Sequence, residues 1–163
     1  MSSDVTVVLP DGSERILGPD ATGADLAAEL GGRAAKDALI AVANGIQLDL
    51  NQPLPDGSDV SLVFPASDEG LEVLRHSTAH VLAQAVLDLY PGATFSIGPP
   101  IEDGFYYDFD LPNGQTFSDE DLEQISSKMK EIVNRKQPFI RSEVDRAEAV
   151  SYTHLTLPTI LLV

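Results

Sequence analysis

"LIAVANGIQLDL", residues 39–50, decides how the first part of the chain folds. Asn44-Gly45 is the favoured pair for a two-residue hairpin, because both central residues of that turn need positive φ. Ile40 and Val42 alternate before it, and Ile46, Leu48 and Leu50 alternate after it. Two paired strands with one apolar side each are therefore expected here.

The reading extends outward in both directions. Upstream, "VTVVLPDGSERIL" (5–17) places two β-prone runs around Pro10-Asp11-Gly12-Ser13, a second hairpin signal. Between the hairpins lies "TGADLAAELGG" (22–32). Thr22 with Asp25 three residues on resembles a capping box, Leu26 and Leu30 fall at helical spacing, and Gly31-Gly32 stops the helix. Downstream, "LPDGSDVSLVF" (54–64) gives a final strand ending near Phe64. Hairpin, helix, hairpin, strand is the order of a small sheet with one face covered by one helix, which sets a first domain at residues 1–65. The string "LPDGS" occurs at 9–13 and 54–58, with the relative "LPNGQ" at 111–115. The match goes no further, so it reads as shared turn chemistry and not as a structural repeat.

Composition limits what such a chain does. The 163 residues carry a net charge of -16 with 43% hydrophobic content, enough apolar material for a core. Residues 1–65 hold ten acids against three bases, and residues 66–150 hold sixteen against seven. That surface repels phosphate and argues against a broad electrostatic grip on nucleic acid. With no cysteine there is neither a disulfide framework nor a thiolate metal site. The N-terminus, "MSSDVTVVLPDGSE", lacks the basic-then-apolar order of a signal peptide. No apolar run approaches the roughly 20 residues of a membrane span, so a soluble, cytosolic protein is expected.

Residues 65–70, "PASDEG", read as linker and helix start, with a long helix following to about Tyr90. "TFSIGPPIEDGFYYDFDLPNGQTF" (94–117) reads as strand, turn, strand, turn. A third helix starts at Ser118, with Asp121 as its capping partner, runs through Leu122, Ile125, Met129, Ile132 and Val133, and stops before Pro138. "FIRSEV" (139–144) reads as a strand and "DRAEAV" (145–150) as a helix start. Residues 151–163, "SYTHLTLPTILLV", contain no charged residue and continue no pattern, so they are expected to be a non-native tail. His154, which falls there, is given no role.

The chemistry centres on "LRHSTAHVLAQAV" (74–86), where two of the chain's three histidines lie four apart. Helical geometry puts Leu71, Leu74, Thr78, Leu82, Ala85 and Leu89 on one face and His76 and His80 nearly opposite, flanked by Val73, Ala83 and Leu87. A zinc-protease motif needs a glutamate after the first histidine, and Ser77 stands there instead. Three readings stay open on the residues alone: a metal site with a further ligand, a hydrolytic pair that positions water or a hydroxyl, and two satisfied core histidines.

The surrounding sequence narrows these. The histidine pair, the run "IGPPIEDGFYYDFDL" (97–111) and the interval between them resemble the opening of the editing domain of bacterial threonyl-tRNA synthetases. Residues 1–65 resemble the ubiquitin-like TGS domain that begins those enzymes, and the likeness covers about residues 4–150. The resemblance implies an α+β chain: a β-grasp domain at 1–65, an incomplete editing domain at 66–150, and the foreign tail. It implies a parent that joins threonine to its tRNA with ATP and hydrolyses mischarged seryl-tRNA in the editing domain. His76 and His80 match the family's histidine pair, which helps hold the terminal adenosine and the attacking water. Tyr107 matches a tyrosine lining the same pocket. Strand alternation puts Phe105, Tyr107 and Phe109 on one face and Tyr106, Asp108 and Asp110 on the other, where Asp108 reads as a solvated carboxylate. The family completes this site with a lysine, an acid, and a cysteine and histidine four apart, none of which this sequence reaches. The implied cofactors, ATP, Mg and Zn, belong to the full-length parent and none to this chain. The implied partner is tRNA, the implied parent a cytoplasmic homodimer, and the chain alone is expected to be inactive. Two rival readings are a TGS-type docking or regulatory module and a free-standing editing factor.

Overall fold

The computed structural model describes residues 3–96 and 100–137. It forms two compact units that divide between Leu74 and Arg75, inside a long helix. The first unit contains β1 (Val5–Val8), β2 (Glu14–Leu17), α1 (Gly23–Leu30), α2 (Ala34–Asp37), β3 (Ile40–Ala43), β4 (Ile46–Asp49) and β5 (Ser58–Val63). The expected hairpin-helix-hairpin-strand order holds, with the single turn of α2 added.

Local chemistry accounts for the elements. Asn44 and Gly45 take φ of 49° and 81°, as the two-residue turn requires, and β3 pairs β4 antiparallel from Ile40↔Asp49 to Ala43↔Ile46. Thr22 caps α1 in a full box: its side chain accepts from the Asp25 amide, and the Asp25 carboxylate accepts from the Thr22 amide at 2.8 Å. Gly31, at φ 65°, ends the helix. The three related turn strings share one device, a left-handed glycine at the fourth position: Gly12, Gly57 and Gly114. Their hydrogen bonds differ, which fits common turn chemistry without a repeat. Asp11 accepts from the Ser13 amide, whereas Asp56 reaches across to accept from the Thr6 amide.

The strands assemble in the order β2-β1-β5-β3-β4. The two hairpins meet only through β5, parallel to β1 at Val7↔Ser58 and Val8↔Asp59 and antiparallel to β3 from Val60 to Val63. One sheet face packs on α1 around Val5, Val7, Leu17, Leu26, Ala41, Ala43, Leu54 and Val60. Ser58, fully buried in this unit, donates its hydroxyl to the Pro55 carbonyl at 2.6 Å and so carries no unsatisfied group inward.

The second unit is built on α3 (Asp68–Leu89), whose first residues, Asp68 to Leu74, lie in the first unit. Ser67 accepts from the Gly70 amide at 3.0 Å, the hydrogen bond of an N-cap. The expected apolar face is corrected at its N-terminal end: Leu71 and Leu74 are 39% and 38% exposed. The deepest positions are instead Ala79, Ala83, Ala85 and Val86. Small side chains let neighbouring atoms close on the helix, so alanine marks its buried stripe better than leucine does.

Among the described residues of 94–117 there are four two-residue strands, β6 (Thr94–Phe95), β7 (Pro100–Ile101), β8 (Gly104–Phe105) and β9 (Phe109–Asp110). β6 pairs with β9 and β7 with β8, so the expected strands are present, with a break at 106–108 between β8 and β9. α4 (Asp119–Asn134) has the predicted Ser118–Asp121 capping box. Of the apolar residues along it, Ile125 and Ile132 are buried, whereas Leu122 and Val133 are 56% and 62% exposed. Ala85, Val86, Ala93, Leu111, Ile125 and Ile132 make the second core, with Tyr90, Phe109, Phe117 and Met129 packed against it. The expected strand at 139–144, the helix start at 145–150 and the tail at 151–163, with His154, lie outside the described residues.

Two substitutions test this packing. Leu26→Ala removes the largest fully buried side chain among the described residues and is expected to cost about 2–5 kcal/mol, read as a lower urea midpoint. Gly70→Ala places a methyl on the Phe64 carbonyl. It is expected to destabilise by about 1–3 kcal/mol even though alanine favours helix, and a neutral result in the same titration would overturn the close approach.

Candidate functional site

α3 brings His76 and His80 together, as their spacing predicts. The Nε2 atoms stand 2.9 Å apart, with ring centroids at 4.6 Å and planes tilted by 60°. Both rings are half-buried. His76 lies seven residues before Ala83, so the pair continues the edge of the alanine stripe. A hydrogen bond between two ring nitrogens needs one N–H and one lone pair, so the neutral pair holds a single proton between its facing atoms. Protonating both rings would set two N–H donors against each other. Burial first, and then the charge of His76, pushes the His80 pKa below its usual 6.5. The pair thus offers an acceptor for a water proton and a donor for an oxygen, side by side, once a ligand parts the two rings.

Tyr107 lies in a different set of side chains. Its ring stacks on Phe109 at 5.2 Å and meets Phe95 edge-on at 5.5 Å. Desolvation raises its phenol pKa. The expected sharing of one side by Tyr107 and Phe109 agrees with that stack, whereas Phe105 is paired into the separate β7–β8 ladder. Among the described residues Tyr107 makes no ring contact or hydrogen bond with either histidine. Asp108 is exposed, and its backbone carbonyl accepts from the Ser96 amide at 3.0 Å. Asp103 is exposed in the turn before Gly104.

Two further groups escaped the sequence reading. Gln84, one turn beyond His80, donates from Nε2 to Gln137 Oε1 at 3.4 Å, and only its i, i+4 relation to His80 could have flagged it. Tyr90 donates to Asp121 Oδ1 at 2.6 Å, a long-range contact that no local pattern announces. Among the described residues no three His, Asp or Glu side chains gather closely enough to hold a metal ion. Among the described residues the histidine pair therefore has no third donor beside it.

Residues 5–64 match the family model of the TGS domain. The chain is 49% identical to the threonine--tRNA ligase of Rubrobacter xylanophilus over 144 residues, which is 88% of this chain and 22% of that protein. It is 47% identical to the threonine--tRNA ligase of Maricaulis maris over 90% of the chain, and 45% identical to that of Citrifermentans bemidjiense over 91%. These stretches are 22% and 23% of the two relatives, so the chain spans about a fifth of the length of the curated proteins it matches. The match falls in their N-terminal region.

The proton arrangement sets a pH dependence. The folded His80 pKa lies below the unfolded one, so the unfolded state binds more protons between the two values and stability rises with pH across that interval. The contribution of His80 is full above about pH 6.5 and is lost as pH falls through its folded pKa. NMR titration of the imidazole is expected to give a midpoint under 6.5 that moves up in His76→Ala; an unmoved midpoint would show that His76 contributes nothing.

Proposed function

We infer that this chain is the N-terminal part of a threonine--tRNA ligase: a TGS domain followed by the opening of an editing domain. One observation carries the inference, the identity of 45–49% across 88–91% of the chain, a span that takes in the helix bearing His76 and His80. The parent attaches threonine to tRNA with ATP. Its need for a second site is physical, because serine is threonine without one methyl. A missing methyl in a binding pocket gives only about 1–3 kcal/mol of discrimination, so serine is attached by mistake and must be removed afterwards.

In that removal water attacks the carbonyl carbon of the seryl ester. The bond from this carbon to the ribose oxygen breaks, and the ribose oxygen takes up a proton. His76 and His80 suit the two proton positions, since the pair presents a lone pair and an N–H at adjacent atoms and burial keeps His80 neutral at pH 7. Tyr107 lines the acyl end of the pocket in this reading. In this reading the completing lysine, acid, cysteine and histidine are assigned to the part of the ligase beyond this chain. ATP, Mg and Zn are assigned to that same remainder, as are dimerisation and most tRNA contact. The cytoplasm is its place of work, where tRNA is charged. A second reading, a docking or regulatory module, is favoured by the self-contained core of residues 5–64.

The test uses the full-length ligase that carries this N-terminal region. His76→Ala and His80→Ala are each expected to lower seryl-tRNA deacylation by about 100-fold or more while threonine charging stays within about twofold. The chain by itself is expected to release no serine above the rate without enzyme. Equal losses of deacylation and charging would mark the histidines as structural and overturn the assignment.

A further inference from the structure

The five-stranded sheet has a second face, opposite the one packed on α1. Register fixes what it carries. Val8 sits between Glu14 on β2 and Asp59 on β5 in one row across the strands. Gln47, Val42 and Ser61 form the next row. Between the β1–β2 turn and the β3–β4 turn this face opens into a groove of about 420 Å³ lined by Val8, Leu9, Pro10, Val42, Asp59 and Ser61. Its floor is aliphatic and its rim is acidic. The groove reaches Val60 and Ser61, where the ladder of β5 with β1 has ended while the ladder with β3 continues. An extended chain laid there meets a strand edge as well as side chains.

The charges are one-sided. Glu14 and Asp59 are exposed, and among the described residues neither carboxylate takes a hydrogen bond or an ion pair. The three bases of residues 1–65 are placed elsewhere: Arg15 pairs with Glu29 of α1, Arg33 with Asp37 of α2, and Lys36 lies on α2. Register sets Arg15 opposite Val7, on the face that packs on α1, and Arg33 and Lys36 belong to α2 and its cap, not to a strand. A phosphate chain is repelled, and so is a second copy of a protein with net charge -16.

We propose that this groove docks an extended segment of a partner protein that presents lysine or arginine on either side of an aliphatic side chain. The cations face Glu14 and Asp59, and the aliphatic group lies on Val8 and Val42. The proposal is independent of the histidine pair and of the ligase reading. Electrostatic complementarity of this kind selects the partner and its orientation, and the aliphatic floor supplies the desolvated contact.

The experiment is an NMR titration of the ¹⁵N-labelled full chain with the capped peptide Lys-Ser-Val-Ser-Lys, which sets both cations and the valine on one side of an extended backbone. Saturable shifts are expected at Leu9, Val42, Gly45, Asp59 and Ser61, weaker with Lys-Ser-Ser-Ser-Lys and absent with Glu-Ser-Val-Ser-Glu. The double variant Glu14→Lys, Asp59→Lys should weaken binding about tenfold. Should it fail to fold, Glu14→Gln with Asp59→Asn is read in its place, with a smaller loss in the same direction. Shifts scattered over the acidic surface would overturn the proposal, as would binding that survives the charge changes. Equal occupation of the same residues by the acidic peptide, by tRNA or by a second copy of the chain would overturn it too.

Discussion

Two residue pairs make one sheet out of two hairpins. β1–β2 and β3–β4 each close through a local turn, and nothing in either hairpin calls for the other. They become neighbours because β5 lies between them, held to β1 by Val7↔Ser58 and Val8↔Asp59. Asp56 fastens the entry to this strand by accepting from the Thr6 amide at 2.8 Å, and the Gly57 amide donates to the Thr6 carbonyl at 2.7 Å. The left-handed glycine at 57 lets the chain turn into the strand at that point. Without this parallel junction Val5, Val7 and Leu17 would not share a core with Ala41, Ala43 and Val60. Such non-local pairing is formed against chain entropy, so α1 and the junction have to stabilise the sheet together.

The histidine pair illustrates how a helix and its packing divide the work. Helical spacing alone sets the two rings on adjacent turns. Burial beside the alanine stripe then removes the solvent that would otherwise stabilise two imidazolium charges. The outcome is a His80 imidazole held below its ordinary pKa, in a chain whose surface is otherwise dominated by carboxylates.

What the sequence disclosed follows the range of the interactions involved. Both capping boxes, the Asn44-Gly45 turn and the glycine stop after α1 are built from residues within a few positions of one another, and each was readable in advance. The histidine contact was readable for the same reason. Burial on α3 was not, because alanine carries no signal until the partner surface is known, and Leu71 and Leu74 carry a misleading one. The aromatic set around Tyr107 was half readable: alternation placed Tyr107 with Phe109, but the break of the hairpin into two short ladders moved Phe105 away. The acidic row Glu14–Val8–Asp59 depends on register between strands far apart in sequence and needed the assembled sheet.

Asp121 has both of its oxygens committed. Oδ2 accepts from the Ser118 amide and hydroxyl at the start of α4, and Oδ1 accepts from the Tyr90 hydroxyl at the end of α3. These hydrogen bonds, that of Tyr90 first, lower its pKa and keep it charged. One carboxylate therefore both begins a helix and joins it to its neighbour. In the language of amide exchange, the first turn of α4 and the last turn of α3 are expected to open as one cooperative unit, because neither can fray without loosening the residue that secures the other.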